Sequence, residues 1–220
     1  MLINDNISHL SIYIMEIKTR KQLKFVIESD YIMNRGYSSP NLAMRLKNLI
    51  APDYIMQYLV AIRMDNYYSN VGKSILLIIN KIKLRRLSIK LGFSIGSRVF
   101  GYGLVIPHYG TIVVGGTNRL GNYCVLHTST CISDNGIIIG DSLYLGTGAK
   151  LTSKIILGNN VSIAANSVVN KSFNEDNVLL VGAPAFIKAG TKAWYERDGG
   201  EYALKVKHVE KLKEKYGLQL

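Results

Sequence analysis

The period of the apolar positions changes near Gly92 and divides the chain in two. Before that point the spacing is helical. Residues 18–34 place Leu23, Val26, Ile27 and Ile32 on one face at the 3.6-residue repeat. Ser38, Ser39 and Pro40 read as a cap with proline in the first turn of a second helix, whose apolar positions are Leu42, Leu46, Leu49 and Ile50. Pro52 opens a third helix through Ile55, Leu59 and Ile62. A fourth covers 71–91, with Lys81, Lys83, Arg85, Arg86 and Lys90 on its second half.

After Gly92 an apolar residue recurs every six positions. Phe100, Ile106 and Ile112 come first. Two extra residues around 116–119 precede Leu120, Leu126 and Ile132, and one around Asn135 precedes Ile139, Leu145, Leu151, Leu157, Ile163 and Val169. Glycine follows directly at Gly101, Gly121, Gly140, Gly146 and Gly158. A strand alternates its faces, so two inward positions in six mean a short strand and then a turn. Three such units carry the chain once around a triangular prism, and coils stack at roughly 4.8 Å in parallel ladders. The pattern predicts a parallel β-helix of about four coils, with glycines and Asn or Asp pairs at its corners. Gly182-Ala183-Pro184-Ala185 ends the repeat. A charged segment at 201–216 then reads as an amphipathic helix with Leu204, Val209 and Leu212 as its stripe. The expected organisation is an α-helical N-terminal domain at 1–92, a hexapeptide-repeat domain at 93–180, and an exit loop with a C-terminal helix at 181–220.

Composition narrows the class. Hydrophobic residues make up 48% of the chain and charged residues 19%, enough for a packed core. No apolar run approaches the roughly 20 residues of a membrane span. The N-terminus lacks the order of a signal peptide, and two cysteines are too few for a disulfide scaffold. A cytoplasmic protein is expected. The net charge of +12 is met by lysines on solvated helix faces, and without a binding motif it does not point to nucleic acid.

Stacking the repeats places candidate chemistry. Ile106, Leu126, Leu145 and Ile163 should form one column, so that His108, Thr128, Thr147 and Ala165, two positions on, line one ridge. His127 should approach His108 from the adjacent coil. A histidine at the head of a ridge of small residues leaves room for a flat, extended ligand. A neutral imidazole, with an ordinary pKa of about 6.5, can take a hydroxyl proton while the oxygen attacks a carbonyl. Hydrogen-bond donors must then meet the oxyanion.

The segment from Gly103 through Leu104, Val105, Ile106, Pro107, His108, Tyr109, Gly110, Thr111, Ile112, Val113 and Val114 to Gly115 resembles the active-site stretch of serine acetyltransferases. There the histidine sits in an Asp-His-Ala-Thr-Gly-Ile-Val-Val-Gly context. The segments 145–150, 163–169 and 182–185 resemble that family's later coils and exit loop. The resemblance covers roughly 92–190. It implies a left-handed β-helix, a homotrimer, acetyl-CoA as donor and His108 as general base. By the same carry-over, the backbone around Thr147 and Ala165 is expected along the cofactor; Thr128, Gly146, Ala164 and Lys171 are further candidates there, and His127, Tyr109 and Asp134 are candidates around the acceptor.

The chain departs from the family at the acceptor side. Pro107 replaces the aspartate before the histidine, and Ser94 falls where the family has the aspartate that orients it. The Gly-Gly-Asp-Arg-His-Pro loop is missing, and Ser133-Asp134-Asn135-Gly136 occupies its place. A free amino acid needs a cation for its carboxylate and an anion for its amine. The expectation is therefore an O-acetyltransferase acting on a sugar hydroxyl, close to members found in capsule and O-antigen polysaccharide biosynthesis. Serine O-acetylation and transfer to a sugar amine stay open. A non-catalytic or metal-binding β-helix is the reading from another class; a catalytic zinc site wants three histidines, and only His108 and His127 lie in the coils, with His9 and His208 in the flanks. No metal is expected. The basic helix at 81–90 has two functional readings, attraction of the CoA phosphates and contact with an anionic membrane surface.

Overall fold

A computed structural model describes residues 16–197 and 199–218. Four helices come first: α1 (Arg20–Arg35), α2 (Leu42–Ile50), α3 (Tyr54–Asn70) and α4 (Ser74–Leu91). Thr19 caps α1 in a reciprocal box with Gln22, which satisfies two donors that the first turn leaves unpaired. The second helix starts two residues later than the proline pattern suggests. Asn41 is its cap, with the side chain accepting from the Met44 N–H, and Pro40 lies outside the helix.

The strands are β1 (Phe93–Ile95), β2 (Ile112–Val114), β3 (Arg119–Leu120), β4 (Val125–Leu126), β5 (Thr130–Ile132), β6 (Ile138–Ile139), β7 (Tyr144–Leu145), β8 (Lys150–Leu151), β9 (Ile156–Leu157), β10 (Ser162–Ile163), β11 (Val168–Val169), β12 (Val178–Gly182) and β13 (Ala185–Gly190). They form three faces, ordered β1-β2-β5-β8-β11, β13-β12-β10-β7-β4 and β3-β6-β9. The result is a left-handed parallel β-helix of about five turns rather than four. The additional turn comes from the two ends, where β1 pairs with β2 and β12 with β10. Gly182-Ala183-Pro184-Ala185 turns the chain back so that β13 runs antiparallel to β12 and covers its open edge.

Corners repeat in chemistry as well as in spacing. Asn122, Asp141 and Asn159 each lie two residues past the end of a strand, Asp176 continues the same corner in the last coil, and their side chains form a ladder. Asp141 Oδ1 accepts from the Asn122 N–H at 2.7 Å, Asn159 Oδ1 from Asp141 at 2.9 Å, and Asp176 Oδ1 from Asn159 at 2.6 Å. Corner donors that no strand can reach are satisfied in this way. At the next position the chain enters the left-handed region, at Tyr123, Ser142 and Asn160, with φ of 56, 64 and 53°. Short polar residues tolerate that conformation better than β-branched ones do.

The core runs through the prism and continues into the helices. Ile55, Met56, Leu59 and Ile62 of α3 and Leu87 and Leu91 of α4 close its N-terminal end against Phe93, Val99 and Leu104. A second cluster lies on an outer face, where Phe25 and Met33 of α1 meet Tyr102, Tyr123, Trp194 and the C-terminal helix α5 (Glu201–Lys215). On α5, Val209 is buried and Tyr202 and Val206 face inward with it. Leu204, expected on the stripe, points outward at 67% exposure, because the packed face follows 202, 206 and 209.

A buried ion pair joins the helical layer to the first coil. Arg63 of α3 donates to Asp30 of α1 at 2.8 and 3.1 Å, and also to the Phe100 and Gly101 carbonyls at 2.9 and 2.6 Å. Asp30 Oδ1 accepts in addition from the Leu104 N–H at 2.9 Å. Burial pushes the Asp30 carboxyl upward, against the pull of the Arg63 guanidinium and the Leu104 and Gly103 amides.

Candidate active site

The predicted column is present. Val105 pairs with Val125, Leu126 with Leu145, and Leu145 with Ile163, so Ile106 heads the stack. Beyond it the register differs from the expected one. Ile112 pairs with Thr130, and Val114, not Ile112, pairs with Ile132. Between the Val105–Val125 and Ile112–Thr130 pairs, one coil spends seven steps and the next only five. The two extra residues therefore sit here rather than around 116–119. A bare six-residue count misses this because Ile112 and Val114 are both apolar and both face inward.

The extra length forms a bulge. Pro107, His108 and Tyr109 stand where the next coil has His127 alone, and Gly110 resumes the stack over Thr128. A Cβ on Gly110 would lie 3.2 Å from the Thr128 methyl, and its φ of +137° also favours glycine. Both ends of the bulge are held by the helical layer. Asn34 of α1 donates to the Leu104 carbonyl at 2.8 Å and accepts from the Ile106 N–H at 3.1 Å. After the bulge, Gly110 donates to the Leu91 carbonyl at 3.0 Å and Ile112 to that of Gly92 at 3.1 Å. His108 is thereby lifted out of the wall and exposed, with Tyr109 beside it at 75% exposure.

His127 faces this bulge from the coil below. It is half-buried, with its ring 5.0 Å from that of Tyr144. Burial lowers its pKa, and the neighbouring His108 lowers it further, so His127 is neutral at pH 7. Arg197 of the C-terminal segment lies over the other part of this surface, 5.4 Å from the Tyr144 ring, and hydrogen-bonds Ser162. Among the described residues no hydrogen bond joins His108 to Ser94, which points outward on β1 opposite Val113.

Below the bulge Thr128, Thr147 and Ala165 stack as expected, with Gly110 rather than His108 in line above them. Gly148 donates to the Thr128 carbonyl at 3.0 Å and Asn166 to that of Thr147 at 2.9 Å. Thr147 and Ala165 are exposed, and Thr128 and Ala164 are half-buried. Gly146 is buried, since a Cβ there would meet the Ile163 carbonyl oxygen at 2.7 Å. Two expected residues lie elsewhere. Asp134 is on the corner at the far end of β5, where it accepts from the Thr117 N–H and hydroxyl at 2.8 and 2.5 Å. Those bonds hold its carboxyl below the usual carboxylate range. Lys171 follows β11 at the same corner, with its ammonium 5.4 Å from the Phe173 ring.

Sequence reasoning missed Asp30, Asn34 and Arg63, which fix the start of the bulge, Tyr144, which backs His127, and Arg197, which lies against Tyr144. Polar residues on the inward faces of α1 and α3 were the available signal. Among the described residues no group of three or more His, Cys, Asp or Glu side chains converges to hold a metal. His9 lies outside the described residues.

No protein-family model matches the chain. A serine acetyltransferase of Synechococcus elongatus is 32% identical over 96 residues, 40% of this chain and 38% of that protein. One of Mycobacterium tuberculosis is 30% identical over 108 residues, 46% of this chain and 44% of the relative. The chain is similar to serine acetyltransferases. Among solved structures, Neisseria gonorrhoeae serine acetyltransferase in complex with serine superposes with a TM-score of 0.55 at 26% identity, over 77% of this chain and 70% of the other. The Brucella abortus serine acetyltransferase in complex with coenzyme A does so with 0.58 at 23%, over 78% and 68%. The chain spans about two fifths of the length of the curated relatives it matches.

These findings overturn the expected acceptor. The relatives are serine acetyltransferases, not the capsule and O-antigen enzymes anticipated, and a sugar hydroxyl in polysaccharide biosynthesis is not supported. The departures at Pro107 and Ser133–Gly136 remove one way of holding a zwitterion. They leave the coil architecture and His108 itself in place.

Proposed function

We propose that the chain is an acetyl-CoA-dependent serine O-acetyltransferase with His108 as general base. One observation carries the reading: a two-residue bulge lifts His108 out of the coil, opposite a neutral His127 and at the head of a ridge of small residues. The similarity to serine acetyltransferases, one of them solved with serine and another with coenzyme A, supports the choice of acceptor and donor.

In this mechanism His108 takes the proton from the serine hydroxyl as the oxygen attacks the thioester carbonyl. The tetrahedral intermediate collapses with cleavage of the carbon–sulfur bond, and the imidazolium returns its proton to the departing thiolate. Transfer is direct and needs no nucleophile on the protein. The half-buried imidazole of His127, held against Tyr144, has its pKa lowered by burial and by His108, which favours the neutral form with one N–H and one lone pair. Tyr109 flanks the acceptor. Thr128, Thr147, Ala164 and Ala165 form the ledge for the extended thioester arm, with Gly146 allowing close coil stacking beneath it. Three copies of the chain assemble in this reading, with the exposed bulge toward a neighbour.

The test is acetyl transfer to L-serine followed by thiol release. His108→Ala should lower kcat by about 10²–10⁴-fold with the fold and mass of the assembly unchanged. Full activity in that variant, or no acetylation of L-serine by the wild-type protein, overturns the proposal.

A further inference from the structure

Among the described residues, fifteen large apolar side chains stand exposed, and ten of them lie on α2 and α4. On α2, which buries no residue, they are Leu42, Leu46, Leu49 and Ile50, at 57–90% exposure. On α4 they are Ile75, Leu76, Ile78, Ile79, Ile82 and Ile89. Arg45 of α2 and Leu76 of α4 line one cavity of about 650 Å³ together with residues of α1 and α3. Solvated monomers rarely leave so many apolar groups together.

Charge selects what covers them. Neither helix contains an Asp or Glu, whereas α2 carries Arg45 and Lys47 and α4 carries Lys81, Lys83, Arg85, Arg86 and Lys90. Pairing this face with a second copy would bring the cations together without a counter-charge. The surface fits a partner that is both apolar and anionic. In the first half of α4, the exposed Ile75, Leu76, Ile78 and Ile79 spread over roughly half of the helix circumference at about 100° per residue. Lysine and arginine on the second half have stems long enough to keep their charges at headgroup level while the isoleucines enter the acyl boundary.

We propose that α2 and α4 form a docking surface for an anionic lipid bilayer, on which the protein lies. No described helix is long and apolar enough to cross a membrane, so this contact is with the bilayer surface. Its exposed apolar and basic side chains are not among the residues placed in the acetyl-transfer site, although the C-terminal end of α4 also holds the bulge through the Leu91 carbonyl.

The experiment is co-sedimentation of the full chain with phosphatidylcholine vesicles, with and without phosphatidylglycerol, at low and high salt. Binding should require phosphatidylglycerol and weaken with salt. The pair Lys83→Gln and Arg86→Gln should reduce partitioning about thirtyfold, at about 1 kcal/mol per cation. The pair Ile75→Ser and Ile78→Ser should reduce it at least about tenfold. All four positions are exposed, so folding is preserved. No binding to anionic vesicles, equal binding to neutral ones, or indifference to either pair overturns the proposal. So does a doubling of mass in solution that Ile75→Ser with Ile78→Ser abolishes, which would assign the face to a second copy.

Discussion

Replacing Asp30 and Arg63 together should destabilise the protein almost as much as replacing Asp30 alone. The pair is buried, with 1% and 2% side-chain exposure. Asp30→Leu leaves a buried guanidinium without its carboxylate, which costs about 3–5 kcal/mol. For a chain of this length each kcal/mol lowers Tm by about 2–4 °C, so a drop of about 10 °C is expected. An isolated buried pair behaves differently when both partners become apolar, and such double replacements are often neutral. Here Arg63 also satisfies the Phe100 and Gly101 carbonyls, and Asp30 the Leu104 N–H. Asp30→Leu with Arg63→Met strands those three backbone groups, at about 1–3 kcal/mol each. The double variant should therefore remain at least about 3 kcal/mol less stable than wild type. Urea and thermal unfolding followed by circular dichroism measure both. A double variant melting within about 2 °C of wild type would refute the view that this pair serves chiefly to tie the first coil to the helices.

Three further outcomes are expected. Gly146→Ala should lower the urea midpoint by the equivalent of roughly 1–3 kcal/mol, since its Cβ would lie 2.7 Å from the Ile163 carbonyl oxygen; an unchanged midpoint contradicts the close coil stacking. His127→Gln should flatten the pH dependence of stability on the acid side. A histidine whose folded pKa is depressed contributes stability that is present above its unfolded value of about 6.5 and lost as pH falls through the folded one. Denaturation at a series of pH values checks this, and identical slopes for the two proteins would count against a half-buried neutral imidazole. Trp194→Phe should cost roughly 1–3 kcal/mol, because the indole N–H donates to the buried Tyr123 carbonyl at 2.7 Å. A melting curve that superposes on wild type would show that this contact does not hold the C-terminal segment.

The acceptor shows where local comparison of residues misleads. Pro107 and Ser133–Gly136 differ from the serine acetyltransferase pattern, and their chemistry argues against a zwitterion when each is taken alone. Yet the chain's relatives are serine acetyltransferases. A binding site is an arrangement of groups from several coils, so the loss of one loop does not specify the acceptor that remains.

Within the chain, the six-residue period determined the β-helix and the column from Ile106 to Ile163, because stacking coils must keep one inward side chain in register with the next. Helical periodicity likewise located the N-terminal helices to within a few residues. Period alone did not decide where the surplus residues go. Ile112 and Val114 are both apolar and both inward, so two registers satisfy the pattern, and only the ladder between β2 and β5 selects the one that raises the His108 bulge. The anchors of that bulge, Asn34, the Leu91 carbonyl and the Arg63–Asp30 pair, lie up to some seventy residues away in sequence. Their hydrogen bonds exist only once the helical layer has closed over the first coil. The sequence by itself determined which residues face inward; tertiary packing decided which histidine stands out.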